Sequence, residues 1–156
     1  LDLKFNKATG KKVIAKNDKT YALTNGLRGS NRHSDFEWAG WYAQNATFTV
    51  DLGKRMDVSS VTLGNITNSA MGVHQPTLVR LSVSDDNKTF RTVKELTVPA
   101  EEVFRHRWAI EDMVLDGFKT KARYLKIDAT NPGKCPAGDI RDGQDVWMYF
   151  DEIIVK

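Results

Sequence analysis

The chain of 156 residues contains a single cysteine, Cys135, so it cannot form an internal disulfide. That shortage neither requires nor excludes an oxidising compartment. No run approaches the roughly 18 consecutive apolar residues that a membrane-spanning helix needs. The first residues, LDLKFNKATGKK, also lack the apolar stretch of a signal peptide, which by itself says little about export.

Charge of one sign is not concentrated anywhere along the chain. The formal net charge is +3, and acidic residues are spread among the basic ones. The densest basic group is Arg105, His106 and Arg107, and Trp108 follows it directly. Proteins that bind nucleic acid usually gather Lys and Arg on one face or in one run. We therefore expect no nucleic-acid partner.

The motifs of catalysis are also missing. The three histidines, His33, His74 and His106, are too far apart for a short metal motif, and no G-x-S-x-G or phosphate-cradling glycine loop occurs. Neighbouring acids such as Asp151 and Glu152 would point to opposite faces of a strand, whereas glycoside hydrolysis needs two facing carboxylates. The sequence predicts a domain that is not an enzyme.

What the chain does contain is period-two alternation of apolar and polar residues, broken about every ten residues by turn residues. The predicted strands are residues 47–52, 59–66, 77–84, 90–98, 107–115, 122–130 and 147–155, with 12–15 and 3–5 as weaker candidates. No long amphipathic helix and no linker interrupts the pattern. This predicts one all-β domain over residues 1–156, a sandwich or barrel of about eight strands.

Three long polar segments separate the strands, namely residues 24–45, 65–75 and 131–145. Segments of this length in a compact domain are usually functional or disordered. They carry Trp38, Trp41, Tyr42, His33 and His74. We expect Trp38 to fill an end of the sandwich, because a buried indole fills a large gap. For Trp41 and Tyr42, packing and ligand binding are both open.

Six segments, in their order and spacing, resemble a known family. They are TYALTNGLRG, DFEWAGW, FTVDLGKRMDVSSVTLG, VRLSVSDDNKTF, ARYLKIDATNPGKCP and VWMYFDEIIV. From Tyr21 to Val155 the chain resembles the coagulation factor five/eight type C, or discoidin-like, domain, and especially its bacterial carbohydrate-binding relatives of the family 32 type. NPGKCP and WMYFDEI are similar to the version attached to bacterial chitobiases, or β-hexosaminidases.

This resemblance implies an eight-stranded antiparallel jelly-roll β-sandwich of the galactose-binding-domain-like kind. It also implies a non-catalytic module of an exported bacterial glycoside hydrolase, in the periplasm or at the cell surface. The expected partners are a glycan and the catalytic domain of the same chain, and we expect the module to be a monomer. Relatives place the ligand at loops clustered at one end of the sandwich, and many hold one structural calcium ion nearby.

The resemblance places calcium ligands after the first core strand and near the C-terminus. Asn25 stands where relatives often have Asp, and Glu152 matches their acidic residue. Asp35 and the carbonyl groups of Leu23 and Leu27 are further candidate ligands. Calcium prefers six to eight oxygen ligands, and the missing charge at Asn25 should weaken its binding. A plain turn at residues 25–26 with Glu152 on the surface is the alternative.

A sugar site needs an aromatic ring for the apolar face of the sugar and a few polar groups for its hydroxyls. The candidate rings are Trp41, Tyr42 and Trp108. The candidate polar groups are His74, Arg105, His106 and Asn131; Arg105 and His106 would point to opposite faces of a strand, so one of the two can line the site. His74 lies where relatives often place a binding residue, although an ordinary loop histidine fits equally well.

Two other functions stay open at this point. The domain could be a structural or protein-interaction module that packs against a catalytic domain without binding sugar. Membrane-surface binding would need apolar residues at loop tips, and Met71 and Val73 are the obvious candidates, so we rank it last. Cys135 is expected to be a small buried residue or a free thiol, since nothing near it in sequence would activate it.

Overall fold

The computed structural model describes residues 2–5, 23–35 and 37–156, and these form a sandwich of two antiparallel sheets. The strands are β1 (Asp2–Phe5), β2 (Ala39–Tyr42), β3 (Ala46–Val58), β4 (Val61–Asn68), β5 (Leu78–Ser84), β6 (Arg91–Thr97), β7 (Trp108–Leu115), β8 (Thr120–Thr130) and β9 (Trp147–Val155). One short α-helix, α1, covers Ala100–Val103, and one turn of 3-10 helix covers Ser69–Met71. The predicted all-β antiparallel sandwich is confirmed.

The two sheets differ in width. The five-stranded sheet has the order β1-β3-β8-β5-β6, and the four-stranded sheet has the order β2-β9-β4-β7. Neighbours along the chain often lie in different sheets, so most connections cross from one sheet to the other. None of the helices in the described part of the chain is long and apolar enough to span a membrane.

The main core lies between the sheets and follows the alternation seen in the sequence. Phe48 and Val50 of β3 face Met148 and Phe150 of β9 across the sandwich, and all four are buried. Successive side chains of a strand point to opposite faces, so these residues can all enter one apolar layer. Burial of this layer supplies the main driving force for folding.

The strand boundaries differ most from the prediction at β2 and at β3. β2 was expected to be loop, and it brings the described strands to nine rather than eight. β3 was expected to stop at Gly53, but it continues to Val58 because the extra residues form a bulge, with Gly53 at a φ of 79°. The predicted strand 12–15 lies outside the described residues.

A second apolar cluster lies on the outer face of the four-stranded sheet, the face turned away from the five-stranded sheet. It consists of Trp38, Ile66 and Val73, packed against Trp147 and Tyr149. Residues 23–35, 37 and 38, which we call segment 23–38, lie over this face, and Trp38 reaches its place there by donating its indole N–H to the carbonyl of Ser30. Trp38 is therefore buried, as predicted, but outside the main core.

Arg28 fastens this segment to the sheet through two ion pairs, one with Asp151 of β9 and one with Asp112 of β7. The carboxylate of Asp151 accepts hydrogen bonds from the Nε of Arg28 and from the backbone N–H of Gly29, both at 2.9 Å. The carboxylate fits because Gly64 lies beneath it, where any Cβ would collide with it. Segment 23–38 is thus held over the sheet by charge as well as by apolar contact.

Four connections emerge together at one end of the sandwich, which we call the loop end. They are residues 43–45, 69–77, 98–107 and 131–146. Because the sheets are antiparallel, β2, β4, β6 and β8 finish at this end, and the strands that follow them begin there. All the predicted sugar-site residues lie at this end.

Candidate functional site

A row of aromatic side chains starts at the loop end and runs along the outer face of β2 and β9. The rings of Tyr42 and Trp147 have centroids 4.7 Å apart and are tilted by 34°, and Trp147 stacks on Tyr149 at 5.4 Å. His33 extends the row, with its ring 5.4 Å from that of Tyr149. We call Tyr42, Trp147, Tyr149 and His33 the aromatic row. It is a shallow surface, since Tyr42 is 39% exposed and the other three are half-buried.

Backbone geometry explains why the rings of the row lie side by side. Tyr42 and Trp147 are directly opposite each other in the β2–β9 pair, so their side chains rise from the same face. Gly40 is opposite Tyr149, and a Cβ at Gly40 would collide with the tyrosine ring. The ring of Tyr149 can therefore lie down over β2. Burial of its hydroxyl raises the pKa of Tyr149 above its ordinary value.

Polar groups surround the Tyr42 end of the row. Lys134 and Asp145 form an ion pair at 2.8 Å, which raises the pKa of Lys134, and the Tyr42 hydroxyl contributes to the same field. Asn131 is mainly structural: its amide donates to the carbonyl of Val146, and its oxygen accepts the N–H of Gly133. Asn131 therefore fixes the loop that presents Lys134 and Asp145.

Trp108 and Arg105 lie at the other side of the loop end. Trp108 is 60% exposed, and its indole N–H donates to the carbonyl of Asn31 at 2.7 Å, which fixes the ring. Arg105 contacts Glu102 and Glu111 instead, at 3.4 and 3.7 Å. Arg107 contacts the same two acids, whereas His106 faces Asp139, so the expected division of these side chains is observed.

The predicted sugar residues thus form two groups rather than one. Four successive backbone pairings separate Tyr42 from Trp108 across the sheet. Tyr42 pairs with Trp147, Trp147 with Val73, Val73 with Asn68, and Asn68 with Trp108. At about 4.8 Å for each pairing, the two aromatic residues are roughly 19 Å apart. A single sugar ring cannot contact both.

Two of the predicted sugar ligands are wrong. Trp41 is 1% exposed, because alternation along β2 turns it inward, where it packs against Phe48 and Phe150 at 5.8 and 5.6 Å. His74 is fully buried: Val73 pairs with Asn68 and with Trp147, and the next side chain turns into the protein.

Instead, His74 is part of the interior of the loop end. Its Nδ1 is 3.1 Å from the carbonyl oxygen of Val103, and its ring lies 5.1 Å from that of Phe104. Burial lowers the pKa of His74, so the imidazole is neutral at neutral pH.

Three of the predicted calcium ligands, Leu23, Asn25 and Leu27, lie at the start of segment 23–38, and Glu152 of β9 contacts the backbone there. Glu152 accepts the N–H of Gly26 at 3.0 Å, and the carbonyl of Leu23 accepts the N–H of Ile153 at 2.8 Å. Asn25 donates its amide to Glu37 at 2.5 Å. We call this group of oxygen donors, from Leu23, Asn25, Glu37 and Glu152, the Asn25 corner.

The Asn25 corner is rich in oxygen and acidic, which suits a hard cation. Burial raises the pKa of Glu152, and the charges of Asp151 and Glu37 raise it further. Glu37 was not among the predicted ligands, because only the fold brings it into contact with Asn25, twelve residues before it in the sequence. Leu27 donates its N–H to the oxygen of Asn25 and is largely exposed.

The described hydrogen bonds of Asp35 lie within its own turn rather than at the Asn25 corner. Its two carboxylate oxygens accept the N–H groups of Ser30 at 3.0 Å and of Glu37 at 3.4 Å. These contacts close a local turn ahead of β2. Its role as a calcium ligand stays a prediction.

Comparison with sequence models of known families shows which family the chain belongs to. The sequence model of the F5/8 type C domain matches residues 7–140. The chain belongs to the F5/8 type C family. Among curated proteins, none has a significantly similar sequence. Domains with this fold are generally non-catalytic.

Solved structures share the fold of this F5/8 type C domain. The CBM32 of AlyQ, in complex with 4,5-unsaturated mannuronic acid, is 14% identical with a TM-score of 0.57, and the match covers 99% of this chain and 92% of that one. CpGH89CBM32-5 from Clostridium perfringens, in complex with GalNAc-β-1,3-galactose, is 16% identical with a TM-score of 0.57, covering 99% and 94%. The C-terminal domain of a Bacteroides fragilis chitobiase is 14% identical with a TM-score of 0.53, covering 99% and 93%.

Proposed function

We propose that this F5/8 type C domain is a carbohydrate-binding module and that it binds terminal sugars of glycans at the Tyr42 end of the aromatic row. The observation that carries the proposal is the pair of Tyr42 and Trp147, a partly exposed aromatic surface at the loop end with ring centroids 4.7 Å apart and polar side chains beside it. Solved structures of the same fold include sugar complexes, which supports a sugar as the ligand.

The chemistry of this surface fits a pyranose. The C–H face of a sugar ring is apolar and packs on an aromatic face, while its hydroxyls need donors and acceptors at the rim. Tyr42 and Trp147 supply the face. Lys134 can donate and Asp145 can accept, and their ion pair holds both side chains in place before a ligand arrives. A site that is already ordered loses less entropy when it binds.

We further propose that the module belongs to an exported bacterial glycoside hydrolase of the chitobiase or β-hexosaminidase type. A chitobiase domain of Bacteroides fragilis with the same fold supports this assignment. The module would keep the catalytic domain of the same chain close to its glycan by raising the effective concentration of substrate.

A structural calcium ion at the Asn25 corner is part of the proposal. The side-chain oxygens of Asn25, Glu37 and Glu152, with the carbonyl of Leu23, would hold it. The ion would neutralise the acidic pair and fix the start of segment 23–38. It takes no part in contacting the sugar.

A glycan array on the isolated domain tests the sugar proposal, with galactose, N-acetylglucosamine and N-acetylgalactosamine termini as the first targets. For a glycan that binds, we expect Tyr42→Ala to weaken binding at least ten-fold in calorimetry, about 1.4 kcal/mol. Tyr124→Ala is the matched control, because Tyr124 lies on the five-stranded sheet, at the end opposite the loop end, and should leave binding unchanged.

Two outcomes would contradict this proposal. If Trp108→Ala abolished binding while Tyr42→Ala did not, the sugar would bind on the Trp108 side of the loop end and not at the aromatic row. If the folded domain bound no glycan on the array, sugar binding itself would be refuted. The alternative, a structural domain that packs against a catalytic domain, would then be favoured.

A further inference from the structure

Beneath the loop end, three side chains from two separate connections meet. They are His74 from residues 69–77, and Cys135 and Asp139 from residues 131–146. One ligand atom from each side chain lies within 4.8 Å of the other two. Nitrogen, sulfur and oxygen donors that converge in this way are typical of a transition-metal site rather than of a calcium site.

The histidine is oriented as a metal ligand would be. Because its Nδ1 contacts the carbonyl oxygen of Val103 at 3.1 Å, that nitrogen carries the proton and Nε2 offers a lone pair. Nε2 points at the sulfur of Cys135, 3.8 Å away. Metal-bound histidines commonly donate their second N–H to a backbone carbonyl in the same way.

The spacing matches a tetrahedral zinc ion. With Zn–S of about 2.3 Å and Zn–N of about 2.05 Å, two ligands at the tetrahedral angle are about 3.6 Å apart. The observed nitrogen–sulfur separation of 3.8 Å is within a few tenths of an ångström of that value. Small side-chain movements would close the site around an ion.

The carboxylate of Asp139 completes the set. Its side chain is 2% exposed, and one oxygen accepts the N–H of Arg141 at 2.8 Å. The other oxygen is 3.8 Å from Nε2 of His106, whose side chain is exposed. A buried carboxylate needs a positive partner. At 3.8 Å, His106 lies beyond hydrogen-bond distance of this carboxylate, so a divalent cation would supply the missing charge.

We infer that His74, Cys135 and Asp139 bind a zinc ion, with a fourth position on the side of His106 that takes either its imidazole or a water molecule. Cys135 binds as the thiolate, and its proton goes to solvent. The ion ties residues 131–146, which present Lys134 and Asp145, to residues 69–77. It therefore stiffens the loop end. The inference does not depend on sugar binding.

Zinc titration of the metal-free domain in excess calcium tests this inference, because calcium then occupies hard oxygen sites such as the Asn25 corner. We expect one zinc ion per chain with a dissociation constant in the micromolar range or below, and a higher Tm with zinc. Cobalt is the second probe, since a thiolate ligand gives Co²⁺ a charge-transfer band in the near ultraviolet.

Matched variants separate the site from general effects. Cys135→Ser and Asp139→Asn keep the side-chain shape, and each should weaken zinc binding at least ten-fold; the serine variant should also lose the cobalt band. Asp142→Asn, an exposed acid in the same connection, should bind like the unaltered domain. Circular dichroism of each variant without metal checks that it is folded.

Three results would overturn the inference. They are no zinc bound to the folded domain, a cobalt complex without the thiolate band, and zinc affinity that Cys135→Ser and Asp139→Asn leave unchanged. In each case the three side chains would be a packed hydrogen-bonded group without a metal.

Discussion

Removing the positive charge from Arg28 is expected to loosen segment 23–38 from the sheet beneath it. Arg28→Met keeps the apolar part of the side chain but leaves the carboxylate of Asp151 without its ionic partner. Asp151 is fully buried, whereas Arg28 is 37% exposed. Losing one partner of a fully buried pair costs about 3–5 kcal/mol.

Two features of the structure reduce that value. Water still reaches the guanidinium, which screens the interaction. Asp151 also keeps its hydrogen bonds from the N–H groups of Gly29 and Glu152. We therefore expect Arg28→Met to lower the free energy of unfolding by about 2–3 kcal/mol. For a domain of this size the Tm would fall by about 4–12 °C.

Urea unfolding and calorimetry measure this change, and Arg80→Met is the matched control. Arg80 pairs with Glu95 at 2.6 Å, but both side chains are about half exposed. An exposed pair contributes about 0–1 kcal/mol. If Arg28→Met cost no more than Arg80→Met, the argument that burial of Asp151 makes its pair important would be refuted.

Two further predictions concern calcium and pH. Asn25→Asp should tighten calcium binding and raise the Tm in calcium, since the added charge strengthens the Asn25 corner; equal calcium affinity in calorimetry would contradict that ligand set. Hydrogen bonds from the N–H groups of Thr89 and Lys88 lower the pKa of Asp86 from 3.8 to about 2. The ionised carboxylate of Asp86 therefore stabilises the folded state above pH 4, and this stabilisation is lost as the carboxylate is protonated when the pH falls towards 2. Asp86→Asn should thus be less stable than the unaltered domain at pH 6, with a gap in urea unfolding that shrinks below pH 4; a constant gap would contradict the assignment.

The sheets were predictable because apolar alternation is a local signal. β9 has the predicted bounds, β5 differs from its prediction by one residue at one end, and β6 differs by one residue at each end. β2 was missed because it has four residues, one of them Gly40, and therefore shows too little alternation. Gly53 looked like a strand end, but a glycine with positive φ can equally form a bulge inside a strand.

The site was less predictable because burial in loops depends on contacts that are distant in sequence. His74 and Tyr42 look alike as polar-segment residues, yet the pairing of Val73 buries the first and the β2–β9 pair exposes the second. His74 and Cys135 are 61 residues apart, so no short motif could reveal that they are neighbours. Trp147 lies half-buried on the outer face, and alternation along β9 does not by itself tell that face from the core.

The apolar cluster around Trp38 gives the four-stranded sheet a second covered side. β4, an inner strand of this sheet, has the main core on one face and segment 23–38 on the other. Every residue from Leu63 to Asn68 is therefore buried. β6 has no buried residue. Inherited substitutions should therefore accumulate in β6, while almost any change of size or polarity in β4 would be removed by selection.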